Sequence, residues 1–219
     1  MFEVVALPKL NQLAPTLNST LLKIIEEAGE LARATLTFLP YERLKGSEIA
    51  ELSVAQGALA EVNGELLDVA QTCVTMIFVM EESYSIEIAQ LIERHLDKLE
   101  NKGYHFNKNN QYRIYTEGNY KYLALPKLDL PEVTLLTTVC KIQEELGELT
   151  QYLGKKAGAS GENDTLKEKE VVIGSAEELL DVAQCCFTMM YLLTQRYQVD
   201  IDALVKLHVC KLKRKGYCK

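Results

Sequence analysis

The chain repeats itself, and that limits its fold more than any other feature. Residues 6–32 align with 124–150 at an offset of 118, with 15 of 27 positions identical. Residues 65–104 align with 178–217 at an offset of 113, with 19 of 40 identical. The first block opens Ala6-Leu7-Pro8-Lys9-Leu10 against Ala124-Leu125-Pro126-Lys127-Leu128. The second opens Glu65-Leu66-Leu67-Asp68-Val69-Ala70-Gln71 against Glu178-Leu179-Leu180-Asp181-Val182-Ala183-Gln184, and closes on Lys102-Gly103-Tyr104 against Lys215-Gly216-Tyr217. The change of offset leaves the second copy five residues shorter between the blocks. Internal similarity of this kind calls for one supersecondary plan used twice. The chain divides as repeat one at 1–104, a linker at 105–123 and repeat two at 124–219.

Apolar spacing makes each plan helical. An extended lead-in with Pro8 or Pro126 precedes a first helix at 19–38 or 132–155. In repeat one the connection holds a short helix at 47–59 and a turn at Asn63-Gly64. In repeat two, 158–170 is Gly-rich and charged, the composition of a mobile segment. The most apolar helix follows, at 65–82 or 176–195. A half-exposed helix at 86–102 or 199–215 then stops at Gly103 or Gly216. Between the repeats, Tyr112, Ile114, Tyr120 and Tyr122 flank Thr116-Glu117-Gly118-Asn119, which reads as a small β-hairpin. The fold class expected is all-α, with that hairpin in the inter-repeat segment.

The first helices share a motif, Ile24-Ile25-Glu26-Glu27-Ala28-Gly29-Glu30-Leu31 and Ile142-Gln143-Glu144-Glu145-Leu146-Gly147-Glu148-Leu149. Ile24, Ala28 and Leu31 share one face, and Glu27 falls between them with Glu30 one turn on. A carboxylate on an apolar seam is costly unless something pairs with it. The third helix carries a second acidic pair. Glu65, Asp68, Thr72 and Thr75 form a narrow polar line on an otherwise apolar helix, repeated as Glu178, Asp181, Cys185 and Thr188. Four carboxylates per repeat, converging inside a bundle, would repel one another unless cations bind. Oxygen-only ligands favour Mg²⁺, Mn²⁺ or Ca²⁺ over zinc, and Mg²⁺ takes substrate phosphates as further ligands. Lys98 and Lys102, like Lys211 and Lys215, lie one turn apart and could meet a phosphate from the side opposite the metals.

Plainer readings exist for each feature. A single E-E-x-x-E run is most often a solvated helix face, and lysines near a helix C-terminus commonly just complement the dipole. His95 and His208 fit a helix–helix boundary, and Tyr104 and Tyr217 fit packing. The acids stand apart because two i,i+3 pairs fall on apolar faces, twice. The net charge of −7 leaves no basic stripe for nucleic acid. The apolar run at 69–80 is too short and too interrupted to span a bilayer, and the first residues lack a signal-peptide layout. Six cysteines without C-x-x-C spacing read as small buried residues in a reducing, cytoplasmic setting.

At these residues the chain resembles the MazG-like all-α nucleoside triphosphate pyrophosphohydrolases, whose signature is E-x-x-E followed, after a connection, by E-x-x-D. Glu27/Glu30 with Glu65/Asp68 match it, as do Glu145/Glu148 with Glu178/Asp181. Glu26 and Glu144 complete the E-E-x-x-E form, and Asp97-Lys98-Leu99-Glu100-Asn101-Lys102 is similar to the family's phosphate-site tail. The gaps between acidic pairs, 34 and 29 residues, are long for the family. Its tail often carries arginine where this chain has Lys102.

The resemblance implies a bundle of two MazG-like repeats packed as an intrachain pseudo-dimer, open to further homodimerisation. It also implies Mg²⁺-dependent cleavage of a nucleoside triphosphate to the monophosphate and pyrophosphate. Metal ligands would be Glu27, Glu30, Glu65 and Asp68 in one repeat and Glu145, Glu148, Glu178 and Asp181 in the other. Phosphate contacts would come from Lys98, Lys102, Lys211 and Lys215. A metal-bound hydroxide, or a water relayed to Glu26 or Glu27 (Glu144 or Glu145 in the second copy), would be the nucleophile. Both copies keep all four acids, so neither site is expected to be decayed. The alternatives are a regulatory protein that holds nucleotide and metal without turnover, and a purely structural bundle.

Overall fold

The computed structural model describes residues 2–156 and 168–219. Among these, seven α-helices surround a core, with a three-stranded antiparallel sheet at one side. Strand β1 (Val5–Pro8) leads to α1 (Leu17–Phe38), short α2 (Gly46–Glu51) and long α3 (Ser53–Tyr84). A 3-10 turn at Ile88–Leu91 runs into α4 (Ile92–Asn101). The hairpin of β2 (Arg113–Glu117) and β3 (Tyr120–Ala124) precedes α5 (Leu135–Lys156), α6 (Glu168–Tyr197) and α7 (Ile201–Arg214). The chain is thus mainly helical, as its periodicity requires.

Helix α1 begins where Thr16 and Ser19 form a reciprocal capping box. Its seam residues Ile24, Ala28 and Leu31 are fully buried and lie against α3. In the same manner α5 lies on α6, while α3 crosses α6 and α1 crosses α5. Helix α3 is long and apolar enough to cross a membrane, but 83% of its most apolar window is buried inside the protein. That is the position of a central bundle helix. At the α3–α6 crossing, Cys186 lies beside Cys73, its own counterpart in the repeat.

Three expectations need correction. Asn63 and Gly64 do not form a turn, because α3 runs straight through them. Glycine inside a helix costs about 1 kcal/mol, and the burial of Leu59, Val62 and Leu66 on either side outweighs it. The short helix expected at 47–59 is accordingly split between α2 and the first turns of α3. The hairpin lies where the tyrosine pattern puts it, but it is joined by β1 in the order β1-β3-β2. Val5 pairs with Leu123 and Pro8 with Tyr120. Val5 and Leu123 are themselves 118 apart, so this strand pair joins a residue to its own counterpart. Finally, Cys140 and Cys210 are exposed rather than buried. The Gly-rich segment expected at 158–170 lies outside the described residues up to 167, and Glu168–Glu170 already belong to α6.

Lys121 of β3, only 1% exposed, ties the sheet to the bundle through Glu81 of α3 and Thr116 of β2. Helices α4 and α7 end in matching Schellman turns. Gly103 and Gly216 take φ of +82° and +72°, and Tyr104 and Tyr217 donate back to Leu99 and Leu212. Each turn brings its tyrosine round to the mouth of a cavity.

Candidate metal and phosphate site

Helix α1 presents Glu27 and Glu30 to α3, which answers with Glu65. Carboxylate oxygens of these three lie within 4.8 Å of one another. A second group of three, Glu145 from α5 with Glu178 and Asp181 from α6, meets the same limit. The groups share two corresponding residues, Glu27 with Glu145 and Glu65 with Glu178, and differ in the third, Glu30 in one and Asp181 in the other. Asp68 stands outside the first triad, and Glu148, which is exposed, outside the second.

The last helix of each half reaches across to the other half, to the second group directly and to Asp68 beside the first. From α4, Lys98 reaches Asp181 and, at 3.3 Å, Glu178, while His95 Nδ1 lies 3.0 Å from the other oxygen of Asp181. From α7, Lys211 reaches Asp68, with His208 Nδ1 at 3.7 Å. The lysines were expected opposite the metals; in the structure Lys98 and Lys211 sit directly on carboxylates. Lys102 and Lys215 line the corresponding cavities. Glu26 and Glu144 lie on the solvent side, each paired with the lysine three residues before it.

Sequence reasoning overlooked Lys23 and Lys141. They stand one turn before Glu27 and Glu145 and hold them at 2.6 Å. Their signal was present, as an identical lysine four residues ahead of the same buried glutamate in both copies. The histidines were noticed only as boundary residues. Both are 4% exposed, with Nε2 lacking a partner among the described residues.

Compared with protein-family models, curated proteins and solved structures, the chain matches none of them.

Burial and crowding set the electrostatics. Burial raises Glu27, against the pull of Lys23 and with Asp68 adding to it. Burial raises Glu65 as well, helped by Glu30, Asp68 and Glu27. Glu178 is pushed up to about 7 by burial, with Lys98 working against the shift and Asp181 adding to it. Asp181 goes the other way. Burial works to raise it, but His95 and Lys98 together hold it below its usual range. Burial drives His208 down to about 4 despite Asp68, so that imidazole is neutral at pH 7.

Two cavities open over the clusters. The first, about 600 Å³, joins Glu27, Glu30, Glu65 and Asp68 to Lys23, Lys211, Lys215 and Tyr217, under a loop of Leu10, Leu13, Ala14 and Pro15. Gln12 of that loop donates its backbone N–H to Tyr217 at 3.1 Å. The second, about 200 Å³, joins Glu145 and Asp181 to Lys141, Lys102 and Tyr104. Cys185 stands there in the place of Thr72.

Proposed function

We propose that the chain is a Mg²⁺-dependent nucleoside triphosphate pyrophosphohydrolase, releasing a nucleoside monophosphate and pyrophosphate. One observation carries this reading. Among the described residues, two clusters of three carboxylates lie on paired helices; from the opposite half of the chain in each case, Lys98 contacts the second cluster through Glu178 and Asp181, and Lys211 reaches Asp68 beside the first. The acids would hold metal, and the lysines would hold the anion that bridges to it. The resemblance to the MazG-like signature supports the same conclusion.

The donor set suits Mg²⁺ or Mn²⁺. Only oxygens converge in the triads, and hard divalent cations prefer oxygen. Glu145 is 2% exposed, and its Oε2 has no hydrogen-bond partner among the described residues. A buried anionic oxygen left unpaired is costly, and a cation at the Glu145–Glu178–Asp181 cluster removes that cost. When bound, Mg²⁺ supplies charge neutralisation of the triphosphate and a more acidic water.

The chain's own residues do the remainder. Lys23 and Lys141 hold Glu27 and Glu145 in place. Lys211 and Lys215, or Lys98 and Lys102, offer ammonium donors to the phosphate oxygens on which charge builds during in-line attack. The loop of Leu10, Leu13 and Pro15 covers the first cavity and limits water there. Glu27, held at a raised pKa in a half-apolar setting, is suited to take a proton from the attacking water.

We read the architecture as two MazG-like repeats packed as a pseudo-dimer. Two contacts between counterparts support it, Val5 with Leu123 and Cys73 with Cys186. So do the paired hydrogen bonds of Gln71 to the Pro8 carbonyl and of Gln184 to the Pro126 carbonyl.

The test is pyrophosphate release from a panel of nucleoside triphosphates with and without Mg²⁺. Metal-dependent release from at least one nucleotide is expected. Glu27→Gln combined with Glu145→Gln should abolish it while circular dichroism stays unchanged. Full activity in that folded double variant would sink the site assignment.

A further inference from the structure

The first cavity contains a polar group that neither metal nor phosphate accounts for. Gln71 is 3% exposed and lines the cavity one turn beyond Asp68. Its Nε2 donates to the Pro8 carbonyl at 2.9 Å and to Thr75 Oγ1 at 3.3 Å. That fixes the amide, because a flip would set two oxygens against each other. Its Oε1 then has no partner among the described residues. The neighbouring hydroxyls cannot supply a hydrogen. Thr72 Oγ1 donates to the Asp68 carbonyl at 2.9 Å, and Thr75 Oγ1 to the Gln71 carbonyl at 2.8 Å. Around Gln71, then, the neighbouring hydroxyls of Thr72 and Thr75 leave its Oε1 as an acceptor without a donor, in a cavity also lined by the apolar Leu10, Leu13 and Pro15.

The same arrangement occurs a second time. Gln184 is 3% exposed, donates to the Pro126 carbonyl at 2.8 Å and leaves its own Oε1 without a partner among the described residues. Keeping a costly unpaired acceptor at both matched positions indicates a role that hydrogen-bonded packing does not supply.

Position along α3 suggests what the acceptor meets. Gln71 lies six residues beyond Glu65, about 9 Å along the helix, which is within the length of a nucleotide whose phosphates are anchored at the acids. We propose that Gln71 Oε1 reads the nucleobase by accepting an N–H from its edge, either a ring imide N–H or an exocyclic amine. The cavity thereby selects a base that presents a donor and rejects one whose donor is blocked. This rests on the hydrolase reading for the identity of the substrate.

The experiment uses the full chain, the best nucleotide of the panel, and its analogue with the relevant base N–H replaced by N–CH₃. Wild-type protein should show a kcat/KM at least about tenfold lower for the methylated analogue. In Gln71→Met that ratio should fall to near one. A purely structural role for Gln71 would lower both substrates equally and leave the ratio unchanged, which would overturn the proposal. So would equal use of the two nucleotides by wild-type protein, a result that needs no variant to fold. If no nucleotide is cleaved, the hydrolase reading fails separately. The same ratio is then taken from Kd values of the α,β-methylene analogues of both nucleotides measured with Ca²⁺, and equal Kd values, or no binding of either, would overturn the base-reading role of Gln71.

Discussion

Glu178 shows how single residues in these clusters respond to pH. Burial raises its carboxyl to about 7, so protons and divalent cations compete for it across the neutral range. Binding of Mn²⁺ at the second cluster should therefore weaken as pH drops from 8 to 6, and titration calorimetry at several pH values would show it. The sign for stability follows from the same shift. Between an ordinary glutamate pKa and about 7, the folded chain holds this proton and the unfolded chain does not. The metal-free protein thus loses stability at this residue as pH rises through that window. Glu178→Gln should remove the slope, so in EDTA the variant's melting temperature should gain on wild type from pH 5 to pH 8. A constant difference would mean that Glu178 titrates normally. Lys98 gives a second residue-scale expectation. It neutralises Asp181 and Glu178, so Lys98→Met should tighten Mn²⁺ binding at the second cluster while weakening the binding of inorganic tripolyphosphate. Loss of both together would instead indicate that the lysine holds the cluster's shape.

Among the elements, α3 shows where local signals mislead. Asn-Gly between apolar runs is a strong turn cue, yet the helix continues because Val62 and Leu66 are buried on both sides of it. A Cβ built on Gly64 meets nothing within 4 Å. Gly64→Ala should stabilise the protein by about 0.5–1 kcal/mol, raising the melting temperature by roughly 1–4 °C; a drop would show that the position needs glycine for another reason. The acidic pairs were legible because i,i+3 spacing on an apolar face depends only on neighbouring residues. Strand β1 was not, since its four residues alternate too briefly to signal and its partner lies 118 positions away. The exchange of α4 and α7 between clusters was not legible. Lys98 is closer in sequence to Glu65 than to Glu178, from which it is 80 residues away, and no spacing rule says which acidic face a terminal helix will cover.

At the scale of the whole molecule, the two cavities differ more than the two sequences do. Small-molecule sites usually occupy about 300–1,000 Å³; the first cavity falls inside that range at about 600 Å³ and the second below it at about 200 Å³. Equilibrium dialysis with a non-hydrolysable nucleoside triphosphate should accordingly give one nucleotide per chain. Lys211→Met, on the half that lends its lysine to the first cavity, should weaken that binding about tenfold or more, whereas Lys98→Met should leave it nearly unchanged. Two equivalent nucleotides per chain would show that the smaller cavity opens. The position shared by Thr72 and Cys185 has a wider consequence. In an assembly of identical subunits every substitution appears at both sites at once, so neither site can change alone. On the proposed pseudo-dimer reading, joining the halves in one polypeptide removes that constraint. It fixes their ratio at one to one without dependence on concentration, and it lets a hydroxyl in one site become a thiol in the other.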